Sequence, residues 1–157
     1  MKKQCRRKVW QLLNPLAHVL EGIQVTPNDK LDQLMMRELS ALESMAKGQA
    51  MVQEWSDLTA VLNVCESMAM SGIGPEALPH CQTLQSELKA AARRYEKTKR
   101  MGMTATGLQA AREVIEYHDL QRRSITRGEY EAHIQRVTNR IKGKAREVEA
   151  VLPTFKS

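Results

Sequence analysis

The chain has 157 residues and a formal net charge of +6, and 42% of its residues are hydrophobic, 27% charged and only 4% aromatic. A chain of this length can bury one core without metal or disulfide staples, and its apolar content excludes a disordered protein. The scarcity of aromatic residues argues against a β-sandwich or barrel, whereas abundant Leu, Ala, Met, Glu, Gln, Lys and Arg predict an all-α protein.

The first predicted element is "NPLAHVLEGI", residues 14–23, which follows a basic segment. Asn14 can cap a helix that begins at Pro15. A helix of about two turns is marginal alone in water, so we expect it to dock on the rest of the protein. Residues 1–13 are predicted to be a flexible basic head, and residues 14–157 a single helical domain. The docking face consists of apolar side chains at helical spacing, namely Leu16, Val19, Leu20 and Ile23.

Three longer helices follow in the predicted order. The first of them is expected to begin with Thr26 as its cap and to continue as far as Gly48. The next spans about residues 50–70, after which the glycines and prolines of "SGIGPEALP" interrupt the chain. Pro75 can then start another helix, because proline is well tolerated in a first helical turn.

Two more helices complete the predicted bundle. The stretch "RMGMTATG" forms a loop, at the end of which Thr104 or Thr106 can cap the fifth helix. Thr126 and Glu129 have the spacing of a capping box for the last helix, which Pro153 stops. Five to six helices with short connections predict a compact antiparallel bundle.

The number and spacing of the cysteines, together with the hydropathy of the chain, indicate the cellular compartment of the protein. Cys5, Cys65 and Cys81 are odd in number and widely spaced, which is typical of free thiols in a reducing environment. No apolar run approaches the roughly 20 residues of a membrane span. His18 and Glu21 interrupt the apolar stretch that a secretory signal would need. We therefore expect a cytoplasmic protein that makes no membrane contact.

Charge is distributed unevenly along the chain. Residues 1–8 carry five basic residues and no acid, residues 9–88 have a net charge of −7, and residues 89–146 have a net charge of +9. Within residues 89–146, some basic residues recur at helical spacing, and others lie close together in the predicted loop before the last helix. Such stripes can bind phosphates or an acidic protein surface. The predicted partner-binding residues are Lys89, Arg93, Lys97, Arg100, Arg122, Arg123, Arg127, Arg136, Arg140 and Lys144.

Two other interpretations of this basic segment stay open. The cations can form a solvated helix face that the acidic half of the molecule partly neutralises. Alternatively, residues 110–137 can form a helix-turn-helix in which Arg127 and Arg136 flank the second helix. The segment lacks the aromatic residues that single-strand binding uses.

The sequence contains no recognisable catalytic or metal-binding motif. Neither a CxxC nor an HExxH pattern occurs, and a metal site would need His118 and His133 to meet with a carboxylate such as Asp119. Glu113 and Glu116 share a helix face, but surface glutamates at this spacing are common. The "GIGPE" stretch lacks the Lys and the Ser/Thr of a phosphate-binding loop. We expect no enzymatic activity, cofactor, metal or small-molecule substrate.

Three stretches of the sequence resemble a known group of proteins. "NPLAHVLEGI", "LTAVLNVCESMAMSGIG" and "VIEYHDLQRRSITRGEYEAHI" together resemble small accessory proteins of unknown function that proteobacterial phages, prophages and plasmids encode. The resemblance implies a mobile-element protein that works in the cytoplasm of a bacterial host. Accessory proteins of this size commonly bind host components, and anti-CRISPR proteins and other defence inhibitors are one such class.

These observations predict a non-catalytic helical binding protein of mobile-element origin. Its expected partner is a host protein or a ribonucleoprotein complex, as for a defence inhibitor of the anti-CRISPR type. The alternative is a nucleic-acid-binding regulator of the mobile element, and a structural phage component is a third hypothesis.

Overall fold

A computed structural model of the chain describes the backbone of residues 27–151 and the side chains of residues 27–144. Within this range the chain forms five α-helices, a short 3-10 turn and no strand beyond an isolated bridge between Ala50 and Met101. The prediction of an all-α bundle is thereby confirmed. The helices are α1 (Asn28–Ala46), α2 (Val52–Met70), α3 (Leu78–Thr98), α4 (Ala105–Ser124) and α5 (Arg127–Val151), and the 3-10 turn is Pro75–Ala77.

Several predictions concern residues outside the described part of the chain, and they stay predictions. They are the basic head at residues 1–13, the short helix at residues 14–23, the thiol Cys5, the cap Thr26 and the stop Pro153.

The starts of two helices differ from the predicted ones, and a proline lies at each of them. Pro27 has an extended backbone with ψ of 140°, so α1 begins after it, at Asn28. Pro75 starts the 3-10 turn, and α3 begins only at Leu78. An α-helix from Pro75 would need a backbone N–H at position 79 to reach the carbonyl of residue 75, and Pro79 has none.

Side-chain caps fix the starts of α4 and α5. The Gly107 N–H donates to Thr104 Oγ1 at 3.2 Å, and the Thr104 hydroxyl donates to Glu87 at 2.6 Å, so Thr104 is the cap of α4. The Thr126 N–H donates to the Glu129 carboxylate at 2.8 Å, and the Glu129 N–H donates back to Thr126 Oγ1 at 3.2 Å. The predicted capping box of α5 is confirmed.

The core lies around α2 and α4, which pack on each other. α2 also contacts α1, α3 and α5, and α4 also contacts α1 and α3. Apolar residues at helical spacing provide the shared faces, and burying each large aliphatic side chain contributes roughly 1.5–3 kcal/mol. Fully buried members of this core are Met45 of α1, Leu58 of α2, Leu84 of α3, and Val114 and Ile115 of α4.

The two described cysteines are buried where α2 and α3 meet. Cys65 and Cys81 are free, and their sulfur atoms lie 3.8 Å apart. The hydrogen bond with Cys81 and burial raise the pKa of the Cys65 thiol above its ordinary value. The same hydrogen bond lowers the pKa of the Cys81 thiol, and both side chains are buried in the core.

Candidate partner-binding surface

The α3 stripe consists of four cations at the predicted spacing. Lys89, Arg93 and Lys97 lie on α3 at i, i+4 and i+8, and Arg100 follows shortly after the helix ends. All four are exposed, and none forms an ion pair with a carboxylate of the described residues. The opposite face of α3 is anchored in the core through residues such as Leu88. The stripe is therefore held on a fixed, solvent-facing side of the bundle.

A basic concavity opens at the end of the α3 stripe. It has a volume of about 390 Å³ and is lined by Lys47, Arg94 and Arg100 but by no carboxylate. Lys47 pairs with Glu43 at 2.6 Å, and Arg94 donates to the Gly102 carbonyl at 3.3 Å. Part of this charge offsets the negative dipole ends of α1 and α3, which both terminate here. Among the described residues Arg100 is the cation of the three whose side chain has no such partner, so an anionic group that entered the concavity would meet Arg100 first.

The α5 stripe consists of Arg136, Arg140 and Lys144, again at i, i+4 and i+8. All three are exposed and have no ion-pair partner among the described residues. Every side chain from residue 139 to residue 144 is exposed, and no acid occurs between residues 132 and 144. This part of α5 is therefore exposed on all sides, with positive charge along the stripe and at Lys142.

α5 is attached to the bundle through its first half. Val137 packs with Val64 and Met68 of α2, and the His133 ring lies 3.0 Å from the Ser67 hydroxyl. Beyond Val137 the described side chains are exposed or only half-buried. The first half of α5 therefore fixes the direction in which its basic second half extends.

Arg122 is not part of the partner surface, which corrects the prediction. Only 4% of its surface is exposed. Its guanidinium donates to both Glu38 oxygens, at 2.6 and 3.1 Å, and to Asp119 at 3.2 Å. Burial alone would lower the pKa of Arg122, but the Glu38 carboxylate raises it above the ordinary value. This arginine ties α4 to α1 inside the protein.

The cause of this error is the extent of α4. The prediction treated Arg122 and Arg123 as loop residues, whereas α4 continues to Ser124. On a continuous helix, residue 122 lies on the same face as Ile115 and His118, at i+7 and i+4 from them, and that face is buried. The position on the helix therefore decides the burial of Arg122.

Arg123 and Arg127 belong to internal ion pairs of the chain. Arg123 donates to Asp119 at 2.8 Å and to Asp32 at 2.5 Å, and these hydrogen bonds raise its pKa. Arg127 is exposed and donates to Glu131 one turn further along α5, at 2.9 Å. Both guanidinium groups are engaged within the chain, and the seven stripe cations are the better candidates for a partner.

His118 and His133 have separate hydrogen-bond partners. His118 Nε2 lies 3.0 Å from the Tyr130 hydroxyl, and its Nδ1 lies 3.5 Å from Glu38 without a hydrogen bond. His133 faces Ser67 instead. Within residues 27–144, no group of three or more His, Cys, Asp or Glu side chains is placed to hold a metal ion. In these residues both rings serve to attach α5 to its neighbours.

The two histidines predict how stability depends on pH. Burial lowers the pKa of both His118 and His133 below the ordinary value of about 6.5. In the unfolded chain they take up protons as the pH falls through that value, whereas the folded protein resists protonation. We therefore expect the free energy of unfolding to decrease between about pH 7 and pH 5.5. Urea denaturation at both pH values measures this change, and His133→Gln should reduce it. A stability that is constant or increases over this interval would contradict the assignment.

Comparison with protein-family models, with curated proteins and with solved structures finds no match to this chain. No helix in the described part of the chain is both long enough and apolar enough to cross a membrane. The functional interpretation therefore rests on the placement of the residues themselves.

Proposed function

We propose that the protein is a non-catalytic helical binding protein of mobile-element origin. It docks through the α3 and α5 stripes on an acidic surface of a host protein or ribonucleoprotein complex, as a defence inhibitor of the anti-CRISPR type does. One observation carries this proposal. All seven stripe cations are exposed and without a described ion-pair partner, although the same chain carries an acidic segment.

The acidic segment of the chain neutralises other cations. Asp57 pairs with Arg37 at 3.1 Å, and Asp32 pairs with Arg123. Glu38 is buried against Arg122. If the stripes were only a solvated face balanced within the molecule, carboxylates of this segment should lie beside them. Among the described residues no carboxylate of this segment forms an ion pair with a stripe cation, which favours an external anionic partner.

Affinity capture tests the proposal. The tagged full-length chain is incubated with bacterial lysate, with and without prior nuclease treatment, and the retained proteins are identified by mass spectrometry. We expect the same protein partner in both samples, in a fixed ratio to the tagged chain. No reproducible partner after several washes in either sample would contradict the proposal, and a partner that is lost only after nuclease treatment would restrict it to a ribonucleoprotein complex.

Direct nucleic-acid binding is a second candidate function, and α5 is the observation that favours it. Arg136, Arg140, Lys142 and Lys144 follow one another along α5 with no acid between them and can contact successive phosphates. Titration with duplex and single-stranded DNA at two salt concentrations tests it. Phosphate contacts predict an affinity that falls steeply with salt, and no binding at the lower salt concentration would exclude this function.

A further inference from the structure

An apolar groove lies between α1, α2 and α5, away from the α3 stripe. It has a volume of about 250 Å³, and its apolar lining includes Leu34, Val61, Val64 and Ile134. The ion pairs Arg37–Asp57 and Arg122–Glu38 line the rest of it, together with His118 and Tyr130. Leu34 and Ile134 each leave 40% of their surface exposed. Apolar side chains on both walls of an open groove typically mark a surface that another apolar element covers.

The undescribed beginning of the chain joins the bundle beside this groove. α1 begins at Asn28, and Leu34 lies six residues further on, about 9 Å along the helix axis. Three residues, 24–26, separate residues 14–23 from Pro27, and a chain of three residues can span about 10 Å at most, which is typical of connections between antiparallel helices. If residues 14–23 run back along α1 as a helix, Leu16 lies about 10 Å from Ile23 and reaches the level of Leu34.

The charge of residues 14–23 is compatible with that of the groove. Residues 14–23 carry a single formal charge, Glu21, and the charged side chains that line the groove already pair with one another, so the contact adds few unpaired ions. The five basic residues at positions 1–8 precede them. Asp29, an exposed acid without a described ion-pair partner, lies in the first turn of α1. This distribution of charge favours a segment that folds back over α1.

We infer that the groove is the docking site of residues 14–23 of the same chain. The apolar face of this segment packs between α1 and α5 and covers Leu34 and Ile134. This intramolecular contact is independent of the partner that the basic stripes bind. The side chains that enter the groove are Leu16, Val19, Leu20 and Ile23.

A double-mutant cycle in the full chain tests the contact. Leu20→Ala and Ile134→Ala should each lower Tm by a few degrees, about 3 °C, because each removes the same packing. The double variant should lose little more than either single variant. Leu120→Ala is the matched control, since Leu120 is 64% exposed and lies outside the groove, and its effect should add to that of Leu20→Ala. Additive losses for Leu20→Ala with Ile134→Ala would overturn the inference.

Disulfide trapping identifies what occupies the groove. In a Cys5→Ser background, Leu16→Cys with Leu34→Cys should form an intramolecular disulfide when glutathione disulfide is added, because these two positions lie at the same level in the proposed packing. The control pair, Leu16→Cys with Leu120→Cys, should not. A disulfide-linked dimer would show that a second copy covers the groove. A reduced pair would show that residues 14–23 do not reach it. Either of these results would overturn the inference.

Discussion

Replacing Arg122 with Met should lower the free energy of unfolding by about 3–5 kcal/mol, the usual cost of breaking a buried ion pair from one side. The reason is the state of its partners. Glu38 is only 7% exposed and Asp119 only 8% exposed, and both carboxylates accept from Arg122 in the folded protein. Without the guanidinium, Glu38 loses its charged partner at 2.6 Å and its carboxyl group stays buried without that partner. Urea denaturation followed by circular dichroism measures the loss.

Two further variants separate charge pairing from packing. The exposed pair Arg127–Glu131 has the same chemistry, and Arg127→Met should cost less than about 0.5 kcal/mol because solvent screens it. The double variant Arg122→Met with Glu38→Met should recover part of the loss, since it removes the stranded carboxylate. A single variant as stable as the wild type, or a double variant that loses the sum of the single losses, would contradict the internal role of Arg122.

The sequence predicts most of the fold because helical spacing and punctuation agree along the described chain. Gly48, Gly72 and Gly74 have positive φ and interrupt the chain where the predicted helices end. Thr104 and Thr126 start helices because each satisfies a backbone N–H that would otherwise have no partner. These signals are local, so they can be identified in the sequence without knowledge of tertiary contacts.

The buried ion pair could not be predicted in the same way. Glu38 lies at i+7 from Leu31 and four residues before Leu42, on the apolar face of α1, and this position is the one signal of its burial. Its partner Arg122 is 84 residues away, and no local pattern connects the two. The helical spacing of the basic residues likewise identified the stripes. Only tertiary contacts, however, distinguish cations without an ion pair, such as Arg93 and Arg136, from Arg123, which is paired with Asp32 and Asp119.

Reversing the charge of the stripes should weaken partner binding far more than folding. We expect Arg93→Glu with Lys97→Glu, and separately Arg136→Glu with Arg140→Glu, to reduce affinity by at least about tenfold, because like charges then face an anionic partner. Each side chain is exposed and unpaired in the described structure, so stability should change by less than about 0.5 kcal/mol per substitution.

The matched control changes the same number of charges elsewhere. Lys30 and Arg112 are exposed and lie outside both stripes, so Lys30→Glu with Arg112→Glu lowers the net charge equally. The most direct measurement is therefore the amount of partner that each of the three double variants retains. The variants are compared at one salt concentration and at equal folded fractions. We expect both stripe variants to lose the partner and the control to retain it. Equal retention by all three, or an equal loss in the control, would contradict the proposal that the α3 and α5 stripes are the binding surface.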